Sequence, residues 1–261
     1  MATKKAQPLN ATPGKAQTSV AVKSNNSVVS IKEAIQAQVA AMGDRIAPPS
    51  GNKIKLAPNA MTLPDGTKTP GPIEVVIVDF VSRNMMYEGN YDPNDIQPPI
   101  CFAIGPNPAK LAPSPNAPQP QAKTCAECPN NAFGSKGAGK ACKNERLLAV
   151  LPPDAEEDTP LWTASVSPTA IKAYDGYVAS VIRTFETPPF GVITELGLDD
   201  TKTYASLTFS NPAPNPNMDV HFARQAEAQA LLAVEPDLSA RAAPKPALKK
   251  AAQRTVAPVR R

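Results

Sequence analysis

Histidine is nearly absent from this 261-residue chain: His221 is the only one. A nucleophile paired with a histidine base therefore has one candidate base, which follows a Pro/Asn-rich stretch and has no Ser or Cys partner nearby in sequence. Carboxylates offer little more. Asp154, Glu156, Glu157 and Asp158 form an acidic run in a proline-bounded loop, whereas a hydrolytic metal site needs its carboxylates on separate rigid elements. The expectation is a protein that is not an enzyme. No apolar run approaches the ~18 residues of a membrane span, so no membrane partner is expected. The opening MATKKAQPLN lacks the apolar core of a secretory signal. That points to a reducing compartment, where disulfides are rare.

Proline is plentiful instead, with 31 residues concentrated in both ends and between Pro106 and Pro120. The first thirty residues carry Lys4, Lys5, Lys15 and Lys23 and no acid. After Glu235, seven basic residues face Asp237 alone. Set against a total of +4, these basic ends leave the middle of the chain acidic. Low hydrophobicity and absent periodicity mark residues 1–29 and 211–261 as largely disordered basic arms. Such arms meet nucleic acid or simply solubilise.

Between the arms, Ser30-Ile31-Lys32-Glu33 reads as a capping box for a helix ended by Gly43, so residues 30–70 are expected to hold a helix and a connecting segment. From Ile73 to Val81 the residues are strongly β-branched, the pattern of a strand buried on both faces. Shorter strands are expected at Met85–Glu88, Ile100–Ile104, Arg146–Leu151, Leu161–Val166, Val192–Leu198 and Thr203–Phe209. One helix interrupts them, with Ser167 as N-cap, Pro168 at the first helical position, and Ile171, Tyr174, Tyr177, Val178, Val181 and Ile182 in an apolar stripe. This order predicts a mainly β fold with few helices over residues 71–210. An OB-like Greek-key barrel, with its helix between the third and fourth strands, suits it; a sandwich is the alternative.

Four cysteines carry the sharpest signal. Cys101, Cys125, Cys128 and Cys142 follow the spacing C-x23-C-x2-C-x13-C. A C-x2-C knuckle with two further thiols supplies the four thiolates that zinc takes tetrahedrally. Two disulfides, or a CxxC redox pair with two buried thiols, are the alternatives. The zinc reading makes residues 101–146 a ribbon-like insertion between strands. Inside it, Gly134 to Lys140 spells GxxxxGK, but Ala141 stands where a phosphate loop needs Ser or Thr. These glycines are read as turn formers between metal ligands.

Lys136, Lys140, Lys143 and Arg146 make that insertion a locally basic finger, suited to phosphate contacts. Aromatics are only 5% of the chain. Tyr87, Tyr91 and Tyr204 are the candidates for stacking on bases, while Trp162 and Phe209 are assigned to the core.

The segments PPICFAIG (98–105), CAECPNNAFGSKGAGKACKNERLLAVL (125–151) and VSPTAIKAYDGYV (166–178) resemble a family of tailed-bacteriophage single-stranded-DNA-binding proteins. More loosely, the chain resembles helix-destabilising proteins that join an OB barrel to a zinc-bearing insertion. The resemblance implies non-sequence-specific binding of single-stranded DNA in phage replication or recombination, inside the bacterial host cytoplasm. Phage replication proteins or the host polymerase are the implied protein partners, with self-association on DNA. Single-strand binders of this kind end in an acidic tail, whereas this chain ends Pro-Val-Arg-Arg. A zinc-stabilised virion component or polymerase-binding factor is the competing expectation.

Overall fold

One strand organises the body. In the computed structural model, which describes residues 34, 35, 38, 52–89 and 96–239, β4 (Ile73–Met86) runs for 14 residues. The apolar stretch anticipated its first half. Ser82, Arg83 and Asn84 do not end it, because each pairs with β6 (Cys142–Leu151) on one edge and β5 (Cys101–Gly105) on the other. The break expected before Met85 is therefore absent. β8 (Val192–Leu198) takes the remaining half of the second edge, opposite Ile73 to Val76.

The sheet is completed by β7 (Trp162–Val166) beside β6 and β9 (Leu207–Pro214) beside β8. All pairs are antiparallel, in the order β7-β6-β4-β8-β9, with β5 on β4. β9 begins later and ends later than the sequence pattern suggested. It has a neighbour on one side only, which lets it hold Pro212 and Pro214 without breaking a central ladder.

A bulge in β4 decides what points inward. The register shifts between Ile77 and Asp79, so Val78 is an extra residue. Without it Phe80 would fall on the outer face. With it, Phe80 joins the inner cluster formed by Val75, Ile77, Leu148, Val150, Ala164, Val166 and Leu196. α1 (Ile171–Phe185) closes over that cluster with the fully buried Tyr174. The Tyr174 ring meets Phe80 edge-on at 5.2 Å and Phe209 at 4.9 Å. α1 begins after Ala170 rather than at Ser167. The Ala170 N–H closes a turn on the Ser167 carbonyl, and the Ser167 hydroxyl pairs with Thr169 instead of capping.

Two parts were not anticipated. β1 (Lys55–Ala57), β2 (Ala60–Thr62) and β3 (Lys68–Thr69) form a small meander within the span read as a connecting segment. Its Pro64-Asp65-Gly66 turn places Gly66 at φ +88°, where glycine is the easy choice. Ile54 and Met61 carry this piece into the inner cluster, while Ile54 and Asn52 bond the backbone of Thr163 on the outer edge of β7. The second is the C-terminal segment, assigned to disorder from residue 211. Through residue 239 it is built: β9 continues to Pro214, and α2 (Met218–Ala223) and α3 (Gln225–Leu232) follow. Ala228 and Leu232 cover an outer apolar cluster of Val78, Leu147, Ala149, Leu151 and Leu161. This explains why β6 is apolar on both faces. His221 is buried beneath these helices, with Nδ1 at 2.8 Å from the Asn217 carbonyl and Nε2 at 3.2 Å from that of Pro152. It is a structural clamp.

The chain divides into two compact units, residues 1–49 and 50–261. In the first, Ala34, Ile35 and Gln38 are helical, on the segment expected to be a helix; its capping box and Gly43 lie outside the described residues. Among the described residues no helix is long and apolar enough to cross a membrane.

The Tyr174 hydroxyl is buried without a hydrogen-bond partner among the described residues. Tyr174→Phe should therefore keep the ring contacts and raise stability by about 1 kcal/mol. Tyr174→Ala should cost about 3–5 kcal/mol. Urea unfolding of the two variants checks the pair; a Phe variant as unstable as the Ala variant would show that the hydroxyl is essential.

Candidate metal centre and nucleic-acid interface

The insertion between β4 and β6 gathers the cysteines by register. Met86 pairs with Cys101 on β5 and with Cys142 on β6, so both thiols stand on one face of the sheet, on either side of Met86. The CxxC knuckle is brought over that face by backbone bonds. The Cys125 N–H donates to the Leu111 carbonyl at 2.8 Å, and the Asn131 N–H to the Cys128 carbonyl at 2.9 Å. Asn131 Nδ2 donates to the Cys125 carbonyl at 2.8 Å. Cys101, Cys125, Cys128 and Cys142 then line a single cavity of about 10 Å³, together with Asn84, Met86 and Asn131. That is room for one ion or water and for no larger ligand.

No disulfide joins these thiols. Burial pushes the Cys142 thiol up to about 12, and Cys125, Cys128 and Cys101 add to the rise while Lys140 opposes it. Burial also raises Cys101, against a backbone hydrogen bond from Gln121, and Cys128 adds to it. Cys125 is raised by burial, opposed by the Asn84 side chain, and raised again by Cys101 and Cys128. Thiols that penalise one another's ionisation in a one-ion cavity form a donor set suited to a thiophilic cation, which would relieve that penalty. As placed, no three His, Cys, Asp or Glu side chains among the described residues are gathered closely enough to hold a metal ion. Neutral thiols have no attraction that would draw the sulfurs closer; only thiolates bond a cation.

The asparagines around the cavity escaped the sequence reading. Asn84 donates to Cys125 and accepts from Asn144 at 2.7 Å. Asn144 also donates to Asn131 at 2.9 Å and accepts from Lys140 Nζ at 2.9 Å. Donors and acceptors alternate consistently along this chain, which fixes the amide orientations and links the thiols to a surface lysine. Nothing in the local sequence marks these residues, because they meet only through the β4–β6 register.

The expected phosphate contacts divide. Lys136 sits in the tight turn of the GxxxxGK segment, where Gly134 and Gly137 have φ of +88° and +58° and Lys136 bridges Gly139. Lys140 lies 4.8 Å from the centroid of the Phe133 ring. Lys143 pairs with Glu145 at 2.9 Å but remains half exposed. Arg146 departs from expectation: it is 8% exposed and forms a two-point bond with Asp175, at 2.8 and 3.2 Å. Its guanidinium braces α1 against β6. Glu145 anchors a separate cluster on the opposite face of β6. Burial raises its carboxyl, but Arg83 and Lys143 outweigh that and hold it below the usual range.

The stacking candidates are not brought together. Tyr87 follows β4, is 42% exposed, and donates its hydroxyl to Met85 Sδ at 3.2 Å. Tyr204 is also exposed, but in the β8–β9 loop beyond the opposite end of β4. Tyr91 lies outside the described residues. Phe209 packs on Tyr174 and Tyr177, and Trp162 packs partly buried against the inner cluster. Among the described residues the most exposed aromatic is Phe133, at 81%, which was not among the expected stacking residues.

Comparison with family models, curated proteins and solved structures finds no match to this chain.

The raised Cys142 thiol has a direct consequence. In reduced, metal-stripped protein at pH 8, Cys142 should react with maleimide slower than an ordinary thiol, by on the order of a thousandfold, because so little is thiolate. Mass mapping of the alkylated peptides reads this; Cys142 labelled as fast as a free thiol would refute the assignment.

Proposed function

We propose that this chain binds single-stranded DNA without sequence preference, as a zinc-containing OB-like protein of the bacteriophage replication or recombination type. One observation carries the reading: the topology. Counting β4, β6, β7, β8 and β9 as five strands, the sheet order is third, second, first, fourth, fifth, with α1 between the third and fourth. That is the order and helix placement of an OB Greek key. No pairing joins β7 to β9 among the described strands, in keeping with a barrel left partly open. The lysine-bearing insertion occupies the loop between the first two strands, one of the loops with which such barrels hold oligonucleotides.

A four-thiolate zinc held by Cys101, Cys125, Cys128 and Cys142 supplies structural cross-linking to this insertion, which has few apolar contacts of its own: Ala103, Leu111 and Cys125 in one small cluster, Met85, Phe102 and Ala117 in another. Asn84 and Gln121 hold two of the sulfurs from outside the ligand set. Lys136, Lys140 and Lys143 attract the DNA backbone.

A second reading has its own support. The outer face of β6, which an OB protein can offer to DNA, is covered here by Ala228 and Leu232 of α3. A zinc-stabilised virion component or polymerase-binding factor has no need of that face.

Titration of fluorescent oligo-dT at several salt concentrations separates the two. DNA binding through phosphates gives affinity that falls linearly with salt on logarithmic axes; the rival gives no such binding. Replacing Lys136, Lys140 and Lys143 together by Ala should reduce the salt slope by about 2. An unchanged slope moves the phosphate contacts elsewhere. Protein purified under reducing conditions should hold about one equivalent of zinc, which a chelator releases. Since binding displaces thiol protons, zinc affinity should rise with pH through the neutral range. Elemental analysis that finds no zinc, or pH-independent affinity, excludes the thiolate site.

A further inference from the structure

A second cavity lies beside the cysteine cluster, and none of the expected stacking residues belongs to it. It is a cleft of about 810 Å³ between the finger and the start of α1, lined by Phe133, Lys140, Lys143, Thr169, Ile171 and Lys172 among others. We infer that this cleft is the nucleotide subsite of the protein, with a base stacked on Phe133 and the adjoining phosphates held by Lys140 and Lys172. The inference rests on the single-stranded DNA reading and gives it a location.

Three observations carry it. Phe133 is large, apolar and 81% exposed, yet its segment is tightly built. The Ser135 hydroxyl donates to the Asn130 and Ala132 carbonyls and accepts from the Ala141 N–H at 2.9 Å. The Gly134 N–H closes on the Gly139 carbonyl at 2.8 Å. An exposed aromatic on a braced turn costs little entropy to use as a platform.

The charge of the cleft suits a polyanion. Lys140 and Lys172 line the cleft with one acid, Asp175, which Arg146 neutralises, while the Lys143 ammonium turns to the other face of β6. Lys143 shares its charge with Glu145. Lys172 makes no ion pair among the described residues, and the first turn of α1, which has no side-chain cap, adds its positive dipole end.

Lys140 is positioned for the task. Its ammonium is held by Asn144 at 2.9 Å and Asn131 at 3.4 Å while lying 4.8 Å from the Phe133 centroid. Phosphate and base sites are thus set side by side, with a spacing fixed by Asn144 and Asn131, of which Asn131 also bonds the Cys125 carbonyl.

The test uses the full chain, purified with its metal, and oligo-dT of defined length. Phe133→Ala should weaken binding about tenfold with an unchanged salt slope, since stacking and not charge is lost. Phe133→Tyr should restore it. Lys140→Ala with Lys172→Ala should weaken binding and flatten the slope. Phe133→Trp should add tryptophan fluorescence that oligo-dT quenches, above the signal of Trp162. Should the parent chain bind oligo-dT while Phe133→Ala binds equally well and Phe133→Trp is not quenched, the subsite is overturned and the DNA reading stands. Should the parent itself fail to bind, both fall. Loss of self-association in Phe133→Ala with DNA affinity intact would make Phe133 a protein contact and also overturn the subsite.

Discussion

Backbone hydrogen bonding along β4 is the constraint on which the rest depends. A 14-residue strand inside a body must satisfy donors and acceptors on both edges. β6 covers one edge from Val76 to Met86, and the other is divided between β8 and β5. That division separates the molecule's roles. The β8 half belongs to the inner core of the sheet, while the β5 half belongs to the insertion and its thiols. The Val78 bulge lies between them and reverses which residues face inward. Phe80 can then meet Tyr174, and the Ser82, Asn84 and Met86 face is presented to the knuckle.

Two apolar layers follow from the same strand. The inner one is closed by α1 and by Ile54 and Met61 of the small meander; the outer one is closed by α3. A two-sided β6 suits this arrangement, since Leu148 and Val150 serve the inner layer while Leu147, Ala149 and Leu151 serve the outer. The outer layer leaves the sheet surface unavailable and places chemical interest on the finger and the first turn of α1.

Much of this was legible where local pattern and burial agree. The β-branched run at Ile73–Val81 and the stripe Ile171, Tyr174, Tyr177, Val178, Val181 and Ile182 announced β4 and α1, although Ile182 is exposed. Val192–Leu198 also matched its strand. The misses have physical causes. Ser82, Arg83 and Asn84 look like a strand end, yet their partners on β5 and β6 supply what their side chains do not signal. Pro64-Asp65-Gly66 was a visible turn signal whose flanking strands are only two or three residues long. Gln225–Leu232 is weakly amphipathic, and only Ala228 and Leu232 are buried. At the site, the spacing of the cysteines pointed to one cluster, and the structure does bring all four to the lining of a single cavity. The Asn84–Asn144–Asn131 network was not legible, since long-range register alone unites it. Phe133, not among the expected stacking residues, acquires meaning only from its exposure.

That asparagine network is also a path for reciprocity. It joins the Cys125 thiol to the Lys140 ammonium through hydrogen bonds whose directions are all defined. Any free energy by which an occupied thiol cluster stiffens Lys140 must return, in equal amount, as tighter hold on the cluster's ion when an anion occupies Lys140. The finger would then behave as a thermodynamic coupling between two ligands of opposite charge. Its grip on a cation would depend on whether a polyanion is present.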